Sequence, residues 1–154
     1  MHDWPDGVDL ERMRELLARG KDIRIRPGGI SMLPLLRPDR DLVLLSPVPE
    51  KLQKYDVPFY VRDDGRLVLH RIVAVGETCT CIGDNQFLEE PGVRKDQMIG
   101  IMSGFVRNGK EHSVNEAGYR LYSRLWHGTR KFRHVLKFPL YYLRRALLCL
   151  ISKS

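Results

Sequence analysis

The hydrophobic pattern changes period twice along the chain. Leu10, Met13, Leu16 and Leu17 recur at the spacing of one helical face, with Asp9 at the N-cap position and Gly20 at the stop, so a short helix is expected first. From Ile23 the period shortens to two, because Ile23 and Ile25 alternate with Arg24 and Arg26 as in a half-buried strand. Pro27-Gly28-Gly29 breaks that strand. Further runs rich in strand formers lie at 42–45, 57–61, 66–75, 79–82, 98–106 and 111–114. Asp63-Asp64-Gly65 and Asn108-Gly109 are hairpin turns between them, while Ser46-Pro47 and Gly83-Asp84-Asn85 close strands. From Asn115 the helical period returns: Leu121, Tyr122, Leu125 and Trp126 mark one face, with Arg120, Arg124 and Lys131 along another. Pro139 opens a second helix containing Leu140, Leu143, Leu147 and Leu150. The expected architecture is mainly β, with a helix before the body (1–114) and a basic amphipathic helical tail after it (115–154).

Composition narrows the class. The 154 residues suit one core, and 43% hydrophobic with 29% charged residues reads as soluble and globular. No stretch reaches the roughly 18–20 uncharged apolar residues of a membrane span. Met1 to Gly20 carries Asp3, Asp6, Asp9 and Glu11 without a long apolar run, which does not read as a signal peptide, so a cytoplasmic protein is expected. Cys79, Cys81 and Cys149 make no disulfide framework. Cys79 and Cys81 share a strand face without a second ligand pair, so they read as buried cysteines rather than metal ligands, and no cofactor is expected.

Charge is unevenly placed. The net +7 comes from the tail, where Arg120, Arg124, Arg130, Lys131, Arg133, Lys137, Arg144, Arg145 and Lys153 meet no acid. The other 17 basic residues face 19 acidic ones. Attraction to anionic lipid or phosphate is therefore sought at the C-terminus. Residues 115–132 are expected to pack apolar side chains on the β body with their arginines in water. Residues 135–151 carry more apolar surface than a small body covers, and read as a segment for the inner membrane surface. Nucleic-acid binding is the weakest of the three readings of the tail.

Candidate chemistry begins at Ser31. A serine hydroxyl is a weak nucleophile without a base, and one beside glycines is most often a loop residue. Here Gly28 and Gly29 let the backbone approach a bound chain, Pro34 stiffens the following turn, and freed N–H groups including that of Ser31 can stabilise an oxyanion. His70 is the candidate base. Strand alternation puts it on one face with Val68 and Ile72, opposite Leu67, Leu69, Arg71 and Val73. A histidine ending an apolar run is more often structural, but His2, His112, His127 and His134 fit the role less well. Gly83-Asp84-Asn85 is an ordinary turn or, alternatively, supplies a carboxylate that orients His70 or braces the Ser31 loop.

In this order the segments resemble the signal peptidase I and SOS-repressor autoprotease clan of serine peptidases. Ser31-Met32-Leu33-Pro34 is similar to its Ser-Met-x-Pro nucleophile box, and Asp39-Arg40-Asp41-Leu42-Val43 to the start of the strand that follows. Lys54-Tyr55-Asp56-Val57, His70-Arg71-Ile72-Val73, Gly83-Asp84-Asn85 and Gln97-Met98-Ile99-Gly100 resemble the clan's later boxes, so the likeness covers roughly residues 23–106. It implies a coiled β-sheet body and a Ser31/His70 dyad of the serine-histidine variety. Asp84 would orient the dyad, Gly29, Met32 and Pro34 would line the oxyanion and substrate site, and Arg71 and Asn85 would give structural support. Three positions depart from the clan. Gly29 replaces a serine that often assists the oxyanion, Tyr55 stands at a usual glycine, and Glu89-Glu90 falls near where relatives often carry aspartates, which leaves the third catalytic member open.

The function so implied is a serine endopeptidase that cleaves a peptide or leader-type segment through an acyl-enzyme, as in maturation of a small secreted or modified peptide. The clan's N-terminal membrane anchor and DNA-binding domain are not expected here. Two alternatives stand beside this reading: a degenerate module that binds an extended peptide without cutting it, and a membrane-surface regulator acting through the basic tail.

Overall fold

The first helix forms where the period predicts it. The structure, a computed structural model, describes residues 9–133. Helix α1 (Leu10–Ala18) is capped by the Asp9 carboxylate, which accepts from the Arg12 N–H at 2.9 Å. It ends at Gly20, whose φ of 71° suits a residue without Cβ. Met13 and Leu17 are its buried residues, and burying a leucine this way stabilises by roughly 1.5–3 kcal/mol. Leu17 lies over Gly100, where an added Cβ would stand 2.9 Å from its Cδ1.

The body is two antiparallel sheets. The larger joins β1 (Ile23–Ile25), β2 (Leu42–Ser46), β8 (Met98–Arg107), β3 (Pro58–Val61) and β4 (Leu67–Leu69) in that order, with β9 (Lys110–Ser113) also paired to β8. The smaller joins β5 (Arg71–Val75), β6 (Cys79–Ile82) and β7 (Glu90–Val93). The protein is thus mainly β, as expected. The ten-residue β8 is the spine: its first half pairs with β3, its second with β9, and β2 runs along its other edge. Both predicted hairpins are present. Asn108 and Gly109 have φ of 51° and 78°, and Gly65 has φ of 81°.

Two departures position the site. The run 66–75 is not one strand; it breaks at His70, with β4 in the larger sheet and β5 in the smaller. Strand β7 is additional, starting at Glu90. Tyr55 has φ of 81°, in the region glycine adopts freely, at the position where the resemblance noted a usual glycine.

The body has two cores, one on the larger sheet's side and one that joins Tyr60, Val68 and Met98 of the larger sheet to the smaller sheet. One gathers Leu17, Met32, Leu36, Val43, Leu45, Phe59, Leu69 and Met102 among others. The second holds Tyr60, Val68, Ile72, Cys79, Cys81, Val93 and Met98. Cys79 and Cys81 are both buried there, as read from the strand. Burial pushes the Cys81 thiol up to about 12, with Cys79 and Glu90 adding, so it stays neutral.

Helix α2 (Ala117–Gly128) lies against the β body by Tyr122 and Trp126 of the expected face, but not by its leucines. Leu121 and Leu125 are each 58% exposed, and Tyr119, Tyr122, Ser123 and Trp126 turn inward instead. The reason is polar: these inward side chains carry OH and N–H groups that meet a buried ion pair, described below. The predicted helix from Pro139 and the membrane-surface segment 135–151 lie outside the described residues. Among the described residues no helix is long and apolar enough to cross a membrane.

Candidate active site

Ser31 sits in a turn that the core holds from below. Met32 is 2% exposed, Leu35 and Leu36 are also buried, and the Leu36 N–H closes the turn on the Met32 carbonyl at 2.9 Å. The Gly83-Asp84-Asn85 segment grips it from the side. The Asn85 N–H donates to the Ser31 carbonyl at 2.8 Å, and Asn85 Nδ2 to the Ile30 carbonyl at 3.3 Å. The approach is close enough that a Cβ on Gly83 would lie 2.7 Å from the Ser31 carbonyl oxygen. The Ser31 and Met32 N–H groups have no acceptor among the described residues.

The break between the sheets brings His70 to the same place. Ser31 and His70 line one cavity of about 70 Å³, together with Gly29, Met32, Arg62 and Val68 among others. No hydrogen bond joins Ser31 Oγ to His70, and such contacts often close only around substrate. His70 is 3% exposed.

The ring nitrogens of His70 have different surroundings. Nδ1 lies 3.4 Å from the Glu90 carboxylate and 3.4 Å from the Tyr60 hydroxyl. The Tyr60 hydroxyl donates to Glu90 Oε2 at 2.8 Å, so its proton is already engaged. Both neighbours of Nδ1 are therefore acceptors, which assigns the ring proton to Nδ1 and leaves Nε2 with a free lone pair. Nε2 has no partner among the described residues. Arg62 fixes the carboxylate in turn, through Nε at 2.6 Å and Nη2 at 2.5 Å. Burial pushes the Glu90 carboxyl up, but the hydrogen bonds from His70, Arg62 and Tyr60 outweigh it and hold it down at about 2. Burial pushes the Tyr60 phenol far above its usual range, with Cys81 and Glu90 adding, so it remains a donor.

Asp84 is occupied elsewhere, contrary to the orienting role expected of it. Its carboxylate takes Arg71 Nε and Nη2 at 2.8 Å each, with both side chains fully buried. Tyr122 donates to it at 3.0 Å, His127 Nε2 lies 3.1 Å away, and Trp126 donates to its backbone carbonyl at 2.8 Å. Arg71 Nη1 donates in turn to Tyr119, Ser123 and the Tyr55 carbonyl. Burial raises the Asp84 carboxyl, and Arg71 followed by His127 outweighs it, holding it at about 2. Asp84 thus anchors α2 to the body, while its neighbours Gly83 and Asn85 brace Ser31 by backbone contacts.

The remaining expected site residues divide. Gly29 and Met32 line the cavity, although Met32 is chiefly a core side chain. Pro34 does not line it; it is exposed, and its carbonyl accepts from Arg107 at 3.2 Å. Arg71 is paired with Asp84, and the Asn85 N–H donates to the Ser31 carbonyl. Tyr60 and Arg62 were not singled out in the sequence, and Glu90 only as one of two acids near the place of an aspartate. Strand alternation carried a usable signal, since Tyr60 and Arg62 lie two apart on β3 and its continuation. Among the described residues no group of three or more His, Cys, Asp or Glu is placed to hold a metal ion. Compared with protein-family models, curated proteins and solved structures, the chain has no match.

Proposed function

We propose that this chain is a serine endopeptidase in which Ser31 is the nucleophile, His70 the base and Glu90 the group that orients the base. The observation that carries the reading is the His70 environment: Nδ1 faces Glu90 and Tyr60, Nε2 is unpartnered, and the ring shares a cavity with Ser31. Nε2 then accepts the Ser31 proton as Oγ adds to the scissile carbonyl. The Ser31 N–H donates to the oxyanion. The imidazolium, steadied by Glu90, gives the proton to the leaving amine, and water releases the acyl group by the same path in reverse. A cavity of about 70 Å³ walled by Met32, Val68 and Leu69 favours a small side chain next to the cleaved bond. The resemblance to signal peptidases points the same way. A substrate presented as an extended strand is supported by β4, an edge of the larger sheet on the cavity wall.

A peptide-binding module without cleavage is the second reading. It is favoured by the missing Ser31–His70 hydrogen bond and by Gly29 in place of an assisting serine. One experiment separates the two. Intact-mass measurement after fluorophosphonate treatment is expected to find one adduct, mapped to Ser31, that is lost in Ser31→Ala and His70→Ala. Folded wild-type protein that binds peptide but takes up no label would refute the peptidase reading.

A further inference from the structure

Helix α2 has an outward face that the β body leaves bare. Leu121 and Leu125 are 58% exposed, and Phe132, in the helical turn 130–133 beyond the C-cap Thr129, is 67% exposed. One residue before each stands a cation: Arg120, Arg124 and Lys131, all exposed. Within α2 the pairs Arg120/Arg124 and Leu121/Leu125 share the spacing i, i+4, so they form two adjacent strips, one basic and one apolar, and Lys131 and Phe132 follow beyond the cap. None of the three cations makes an ion pair or side-chain hydrogen bond among the described residues. By contrast, Arg130 is bound to Glu89, and Arg133 stacks on Trp126 with 3.5 Å to the ring centre.

The basic strip borders a cavity of about 250 Å³ between α2 and the loop before β3. Lys54, Arg120 and Arg124 line it against a single carboxylate, Asp56, which accepts from the Gln53 N–H at 2.8 Å. Burial raises the Asp56 carboxyl above its ordinary value. No acid occurs from Ala117 to the end of the sequence.

We propose that this face docks on anionic lipid, with headgroup phosphates seated among Lys54, Arg120 and Arg124 and with Leu121, Leu125 and Phe132 entering the acyl boundary. A helix lying in the interface needs this pairing of a cationic strip with an apolar one. Two further observations select lipid. A second copy would bring like charges together across the face. Nucleic acid would need a stacking platform, yet Tyr119, Tyr122 and Trp126 are turned inward to Arg71 and Asp84. The inference does not depend on the peptidase reading, and its test reads no cleavage.

The test is partition of the full chain onto vesicles of phosphatidylcholine alone or of equal parts phosphatidylcholine and phosphatidylglycerol. Wild type is expected on the second and not the first. Arg120→Gln with Arg124→Gln is expected to lower partition about twenty-fold at low salt, since each cation near an anionic surface contributes about fivefold. Leu121→Ser with Leu125→Ser is expected to lower it about tenfold. Arg12→Gln with Arg19→Gln removes the same charge from α1 and is expected to change it less than about twofold. These side chains are exposed, and circular dichroism checks that every variant is folded. Four results would overturn the proposal: no binding to the anionic vesicles; binding that the two α2 pairs leave unchanged; an equal loss in the α1 pair; or dimerisation or nucleic-acid binding through Leu121 and Arg124 with no lipid binding.

Discussion

Asp84 and Glu90 lie on the same connection, one just after β6 and one opening β7, and against the pull of burial both carboxyls are held at about 2, Asp84 by Arg71 first and Glu90 by His70 and then Arg62. Their surroundings divide them. Asp84 is closed in by Arg71, Tyr122, His127 and Trp126, and no hydrogen bond or ion pair joins it to His70. Glu90 is half-buried, and its Oε2, which also accepts from Tyr60 and Arg62, faces His70 Nδ1 at 3.4 Å. One arginine–carboxylate pair fastens a helix, while the other presents a carboxylate to a base. A depressed carboxyl is thus not by itself a sign of chemistry; what its second oxygen faces decides the role.

The contrast can be broken in order of expected effect. Ser31→Ala or His70→Ala is expected to lower peptide cleavage on the order of 10⁴-fold, with the thermal midpoint nearly unchanged for the serine variant. Arg71→Met or Asp84→Asn leaves one buried charge unpaired, and is expected to lower unfolding free energy by about 3–5 kcal/mol in denaturant titrations. The folded fraction of Asp84→Asn should still cleave. Glu90→Gln does the opposite: modest loss of stability, but cleavage lowered about 10²-fold, because the amide can donate to Nδ1 and so favours the tautomer with Nε2 protonated. Gly83→Ala pushes a methyl toward the Ser31 carbonyl, and a cost of about 1–3 kcal/mol with slower cleavage is expected.

Acid is the mildest probe. Both carboxyls lie below their ordinary 3.8 and 4.5, so the folded state favours the ionised forms. Their stabilisation is complete above those values and is lost as pH falls toward about 2. Calorimetry is expected to find a flat midpoint above pH ~5 that declines below it, less steeply in Asp84→Asn.

Much of the body was legible because its signals are local. The α1 period with its Asp9 and Gly20 caps, the turns at Gly65 and Asn108-Gly109, and the ten-residue β8 each follow from a few adjacent residues. Three features were not. The run 66–75 is continuous in strand formers, and only the division of the body into two sheets breaks it at His70. Strand β7 begins Glu-Pro-Gly, residues that strands usually avoid, and is tolerated because β7 is an edge. On α2 the inward place of Tyr122 and Trp126 was legible but the outward place of Leu121 and Leu125 was not, because leucines outrank tyrosines on hydropathy, whereas the body offers α2 a buried ion pair that polar-tipped rings satisfy. At the site, the neighbours Ser31, His70 and Gly83 were legible as short motifs. The partnership of Glu90 with His70 was not, because it depends on how the smaller sheet brings β7 beside His70 and β3.

The measurement that tests this account most directly is the rate of fluorophosphonate attachment to Ser31 in folded wild type, Glu90→Gln and Asp84→Asn. Wild type is expected to react, Glu90→Gln to react about 10²-fold more slowly, and Asp84→Asn to remain within about threefold of wild type. A wild type that does not react at Ser31, or a Glu90→Gln rate equal to wild type beside a crippled Asp84→Asn, would contradict it.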